Sequence, residues 1–251
     1  MDSVFAEPLK HFPKSVPAAD QQRLHDAILA AIDNDVRPAY AKLGKFVADD
    51  YAPHGRSQPG VWDLPNGEAI YRYDVEQMTT TNETPEQIHQ IGLAEVRRIE
   101  GEMTKIAHAQ GFKDLASFRA SLKTNPKIHA TSREDILNRY RGFIAGMEPE
   151  LPKLFGLLPK TKVVVMPVEK FRENEAPAAE YHPGTPDGSR PGQIFVNTGD
   201  FAHRSVLTIE STAYHEGIPG HHLQISIAQT LPRLPPFRQQ AGYTAYIEGW
   251  A

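Results

Sequence analysis

The chain has 251 residues, 40% of them hydrophobic and 23% charged, with a formal net charge of −4 and no cysteine. That balance is ordinary for a globular protein, and without a basic run nothing in it suggests nucleic acid or an anionic membrane as a partner. The missing cysteine rules out disulfides, thiolate zinc sites and cysteine catalysis.

Met1 to Lys10 carries no cationic-apolar signal pattern, and Pro8, Pro13 and Pro17 mark an irregular lead-in. From Ala18 to about Asp50 the period is helical, with a kink expected at Pro38. Residues 52–67 read as a loop, and Ala69–Thr80 fits strand or helix equally. The clearest helix follows. Thr84 is the expected cap, Pro85 the first helical residue, Gln87 the capping-box partner and Gly111 the stop. Its stripe of Ile88, Ile91, Ile99, Met103 and Ile106 is read as core, as are the later Tyr, Phe and Met stripes.

A short helix is expected through Leu115, Phe118 and Leu122, and another from Thr131 or Ser132 until Pro149. The period then changes. Lys162–Val168 and Gln193–Asn197 read as strands, separated by a turn-rich loop over residues 182–192. The apolar run Val163–Met166 is far too short to span a bilayer. Helix resumes near Ser205 or Thr208, breaks at the proline-rich residues 231–236, and resumes near Phe237. The expected fold class is mainly α with an α+β character: a helical domain with a small β-sheet beside the helix that bears His215. The whole of residues 1–251 is read as a single domain.

The chemistry concentrates in Tyr214-His215-Glu216-Gly217-Ile218-Pro219-Gly220-His221-His222-Leu223-Gln224. Two imidazoles with a neighbouring Glu suggest a hydrolytic zinc site, Zn2+ being the expected cofactor. The usual form is His-Glu-x-x-His on one helix, but Pro219 stands where the second His would be. On a straight helix His221 would point about 120° away from His215, and His222 would lie about 10.5 Å along the axis. Pro219 clashes with the carbonyl of His215, so a bulge or break is expected within Gly217–Gly220. Extruding two residues brings His221 to the place of the second ligand. His221 is therefore preferred, with His222 as the alternative. Glu216, next to a ligand but free of the metal, is the candidate general base.

The third ligand must be His, Asp or Glu, and Glu248 on the next helix is a candidate whose other reading is a solvated surface carboxylate. His182, His222, Tyr243 and Tyr246 are candidates for substrate contact or for stabilising an oxyanion. The G-x-S-x-G, P-loop and G-x-G-x-x-G motifs do not occur.

Thr79–Thr81, Thr84-Pro85-Glu86-Gln87-Ile88-His89, Pro186–Gly192, Phe195-Val196-Asn197-Thr198, His215–Gln224 and Glu248-Gly249-Trp250-Ala251 resemble the bacterial domain-of-unknown-function 885 family over nearly the whole chain. That family is similar to the gluzincin metallopeptidases. The resemblance implies two His and a downstream Glu around zinc, which selects His215, His221 and Glu248. It also implies a peptide or small amide substrate and frequent export as periplasmic proteins or lipoproteins. By the same analogy Gln193–Asn197 is either an edge strand that pairs with an extended peptide or an ordinary core strand. Family members are longer at both ends, so the chain is expected to be an internal fragment with little activity alone. Two other functions fit the same residues: a zinc amidase acting on a non-peptide substrate, and a non-catalytic, zinc-stabilised binding module.

Overall fold

The computed structural model describes residues 3–231, 235, 237–238 and 242–251. Its contacts cluster in two compact units, Met1–Glu68 and Ala69–Ala251.

The first unit is built on a long helical run. Helix α1 spans Ala18–Ala31 and α2 spans Arg37–Phe46, joined by a π-helical stretch at Ile32–Val36. Arg37 N–H donates to the Ile32 carbonyl in a wide turn, which admits Pro38 in the first turn of α2 without breaking the run. The kink expected at Pro38 is thus a widened turn just before it.

The second unit holds the strands and the remaining described α-helices. Helix α3, Gly67–Thr79, begins two residues before it and resolves the ambiguous stretch as helix. Helix α4 runs Pro85–Ala109 behind a full capping box: Thr84 Oγ1 accepts from Gln87 N at 3.2 Å, and Gln87 Oε1 accepts from Thr84 N at 2.8 Å. Gly111, at φ +84°, follows its end. Asp114 caps α5, Leu115–Thr124, and Ser132 caps α6, Arg133–Met147, each accepting a bond from a backbone amide of the first turn. A short α7 spans Leu151–Leu154.

The strands are β1, Val163–Pro167, β2, Ala179–His182, and β3, Gly192–Val196. Their order is β1-β3-β2, with β3 parallel to β1 and antiparallel to β2. The edge-strand reading of Gln193–Asn197 is therefore corrected. β3 lies in the middle, Ile194 and Val196 are buried on it, and both its sides are already paired. Strand β2, which the sequence reading missed, is one edge. It is only four residues long and carries charged and aromatic residues in place of a β-branched run.

Helices α8, Ile209–Glu216, and α9, His221–Ala228, follow, and α10 spans Thr244–Trp250. The break expected at 231–236 and the start of the last helix near Phe237 fall largely outside the described residues. The core joins Ile136, Leu137, Tyr140 and Ile144 of α6 to Ile194 and Val196 of β3, Ile209 and Ala213 of α8, and Leu223 of α9. The α4 stripe does not join it. Ile91 and Ile106 stay 56% and 55% exposed, because α6, α8, α9 and the sheet supply the core instead. No described helix is long and apolar enough to cross a membrane.

Candidate functional site

The site is built on the break between α8 and α9. The last bond of α8 runs from Gly217 N–H to the Ala213 carbonyl at 3.0 Å. Gly220 N–H then reaches back to the Tyr214 carbonyl at 2.9 Å, and His222 N–H to the Gly217 carbonyl at 2.9 Å. The loop folds tightly onto the end of α8. A Cβ on Gly220 would lie 2.0 Å from the His215 carbonyl oxygen and one on Gly217 would lie 2.3 Å from Ile144, so both positions exclude a side chain. Two residues are thereby taken out of the helical path, and the rings of His215 and His221 meet edge to face with centroids 4.6 Å apart.

Glu248 reaches this pair from α10. Its Oε2 lies 3.4 Å from His215 Nε2 and 3.7 Å from His221 Nε2. One ligand atom from each of His215, His221 and Glu248 lies within 4.8 Å of the others. Two straps hold α10 there. Trp250 Nε1–H donates to the Pro219 carbonyl at 2.9 Å, and Gln224 Nε2 donates to the Tyr246 carbonyl at 3.1 Å. The donor set of two imidazole nitrogens and a carboxylate oxygen on one small volume suits a borderline divalent cation such as zinc, and counts one donor fewer than a closed tetrahedral site.

Glu216 is the last residue of α8, directly after His215. Burial pushes its carboxyl above the usual range, with Glu248 and Glu180 adding to the rise, while His215 and the Tyr181 backbone amide oppose it. Burial also lowers the pKa of His221, helped by His215 and opposed by Glu248, which favours the neutral, ligand-competent imidazole. Tyr140 lies behind Glu216, its phenol pushed up to about 12, mainly by burial.

His222 faces away from the cluster and is 1% exposed. Its Nε2–H donates to the Thr161 carbonyl at 2.9 Å, which leaves Nδ1 to accept from the Tyr181 hydroxyl at 2.9 Å and from Ser226 at 3.3 Å. That role is internal, and it leaves neither nitrogen free for a metal or a substrate. A Cβ on Gly192 would sit 2.6 Å from His222 Nδ1 and 2.8 Å from the Tyr181 hydroxyl, so this nest needs glycine there.

The other predicted contacts are dispersed. His182, at the end of β2, sets its ring against Phe195 at 4.9 Å and its Nε2 3.7 Å from Glu180. Tyr243 precedes α10 and lines a small polar hollow with Glu76, Gln77, Thr80, Thr81 and Asn82. Tyr246 lines an apolar cavity of about 330 Å³ with Phe155, Leu223, Gln224, Ile227 and Trp250. Tyr181 was missed by sequence reasoning: it is a lone aromatic on an unrecognised strand, and its ring lies between His221 and His222 at 6.4 and 5.6 Å. Trp250 stood in the Glu-Gly-Trp-Ala signature, but nothing local announces its bond to Pro219.

A family model described as "Bacterial protein of unknown function (DUF885)" matches residues 1–251. No curated protein matches the chain. Among solved structures, "The crystal structure of the putative lipoprotein from Colwellia psychrerythraea" is similar at 30% identity with a TM-score of 0.89. The match covers 98% of this chain and 43% of that one, so this chain spans less than half the length of that relative. With a family model matched from end to end, the chain belongs to the bacterial DUF885 family.

Proposed function

We propose that this chain carries the centre of a zinc-dependent hydrolase that cleaves peptide or related amide bonds, similar in plan to the gluzincins. The observation that carries the reading is the convergence of His215, His221 and Glu248 within 4.8 Å, with the half-buried Glu216 beside them. His215, His221 and Glu248 would hold the ion. When bound, zinc supplies Lewis acidity toward a water molecule and the scissile carbonyl. Glu216 takes a proton from the attacking water on its carboxylate and delivers it to the leaving amine. The burial that raises its pKa brings this base closer to neutrality, where such transfer works best.

Strand β2 offers a natural place for an extended substrate. Asn197 N–H donates to the Ala178 carbonyl, and the antiparallel alternation then turns the backbone amides of Ala179 and Tyr181 away from β3. The Tyr181 amide faces Glu216, so a peptide lying along this edge would pass the base. The likeness to a protein described as a lipoprotein extends the proposal to an exported protein.

Metal analysis beside hydrolysis of a mixed peptide library tests this, run on a chain that continues beyond Ala251 to the length of the similar lipoprotein. Glu216→Gln is expected to keep zinc near one equivalent while turnover falls by roughly 10²–10⁴-fold. Glu248→Ala is expected to lose both. Zinc without hydrolysis in the parent, and no special effect at Glu216, would instead favour a structural zinc site.

A further inference from the structure

His221 turns Nε2 toward Glu248, at 3.7 Å, which leaves Nδ1 on the far side of the ring. That Nδ1 is buried with no hydrogen-bond partner among the described residues. So is the carboxamide oxygen of Gln224, one turn further along α9 on the same face. The Gln224 amide cannot be turned round to cure this. Its NH2 donates to the Tyr246 carbonyl at 3.1 Å, and a carbonyl can only accept, so the side-chain oxygen must stay on the other side. An imidazole that offers the Nε2 lone pair to a metal carries its hydrogen on Nδ1 and becomes a donor there. Two buried polar atoms without partners, one a donor once Nε2 is ligated and one an acceptor, thus lie three residues apart on one helix face and are not bonded to each other in the metal-free chain. Buried polar groups left unpaired are costly, and metal-bound histidines commonly hold their second nitrogen on an outer acceptor.

We propose that Gln224 is the outer partner of His221: a positioning residue whose carboxamide oxygen takes the Nδ1–H of the ligating imidazole while its NH2 holds the backbone of α10. One side chain then orients two of the three ligands, His221 directly and Glu248 through the helix that carries it. Gln224 touches neither the metal nor the reacting atoms. This inference rests on the zinc reading above and adds to it the group that fixes the ring.

The test uses zinc itself, with dissociation constants measured by competition against a chromophoric chelator. Gln224→Met removes both bonds and is expected to weaken zinc binding by about 10–100-fold. Gln224→Glu keeps an acceptor for Nδ1–H but loses the donor to Tyr246, and is expected to fall between the parent and Gln224→Met, weaker than the parent for lack of the clamp on α10 but several-fold tighter than Gln224→Met. If Gln224 served only as a clamp between α9 and α10, the two variants would bind equally weakly, and the proposal fails. It also fails if Gln224→Met binds as tightly as the parent. Nitrogen NMR of the zinc-loaded parent needs no variant to fold: a hydrogen on His221 Nδ1 protected from exchange is expected, and its absence overturns the assignment. A parent that binds no zinc sinks the metal reading itself, whereas a zinc-binding parent with an indifferent Gln224→Met sinks only this inference.

Discussion

The Tyr181 hydroxyl donates to His222 Nδ1 at 2.9 Å while the backbone amide of the same tyrosine faces Glu216. The second histidine of the His221-His222 pair therefore acts inside the protein, holding the strand that borders the candidate base. His222→Ala leaves the Tyr181 hydroxyl and the Thr161 carbonyl without that partner, at about 1–3 kcal/mol for each buried group left unpaired. We expect it to lower thermal stability while zinc is still bound, and His221→Ala to do the reverse. Calorimetry beside metal analysis reads both, and loss of zinc in His222→Ala with stability intact would contradict the assignment.

Glycine substitutions separate the break from ordinary helix. At Gly220 a Cβ meets backbone at 2.0 and 2.5 Å, which no side-chain movement can relieve. Gly220→Ala should cost about 1–3 kcal/mol or more and weaken zinc binding. Gly142 lies within α6 with nothing within 4 Å of an added Cβ, and Gly142→Ala should stabilise by about 0.5–1 kcal/mol. Denaturant titration of the two variants checks the contrast, and a neutral Gly220→Ala would refute the tight return of Gly220 onto the end of α8.

Zinc should stabilise the folded chain by mass action. At a free concentration one hundred times the dissociation constant the gain is about 2.7 kcal/mol, and a chelator should remove it. The gain should vanish in His215→Ala and Glu248→Ala. A stabilisation that survives both substitutions would mean that the ion binds elsewhere.

The Arg133–Glu173 ion pair should contribute to acid sensitivity. Its hydrogen bonds from Arg133 hold its carboxyl below the ordinary value of 4.5, outweighing the opposing effect of burial. Because the folded pKa is depressed, the stabilisation is fully present above the unfolded value and is lost as pH falls through the folded one. Glu173→Gln should therefore be less stable than the parent at neutral pH, and the difference should shrink in acid. Denaturant unfolding followed from about pH 7 to about pH 3 measures it, and a difference independent of pH would count against the ion pair.

What the sequence by itself determined is local. The Thr84–Gln87 capping box, the Ser132 cap and the stop at Gly111 depend on residues within one turn, and each forms as read. The break at Pro219 belongs here too, because a ring that clashes four residues back needs no tertiary partner. The change of period near residue 160 likewise marked β1 and β3, since β-branched runs favour strands wherever they pack.

Only the tertiary structure decided the rest, because those relationships join residues far apart in sequence. Period and spacing left His221 and His222 as alternatives, and it is the return of Gly220 onto Tyr214 that sends one toward Glu248 and the other into the Tyr181 nest. Whether β3 is an edge or a centre depends on β2, whose four residues carry no alternation to read. The exposed stripe of α4 shows the same limit: a helical period records that a face is apolar, but burial depends on which neighbours fold against it. Glu248 had the position of a third ligand in the sequence, and its approach to His215 depends on Trp250 and Gln224 gripping carbonyls 31 and 22 residues away.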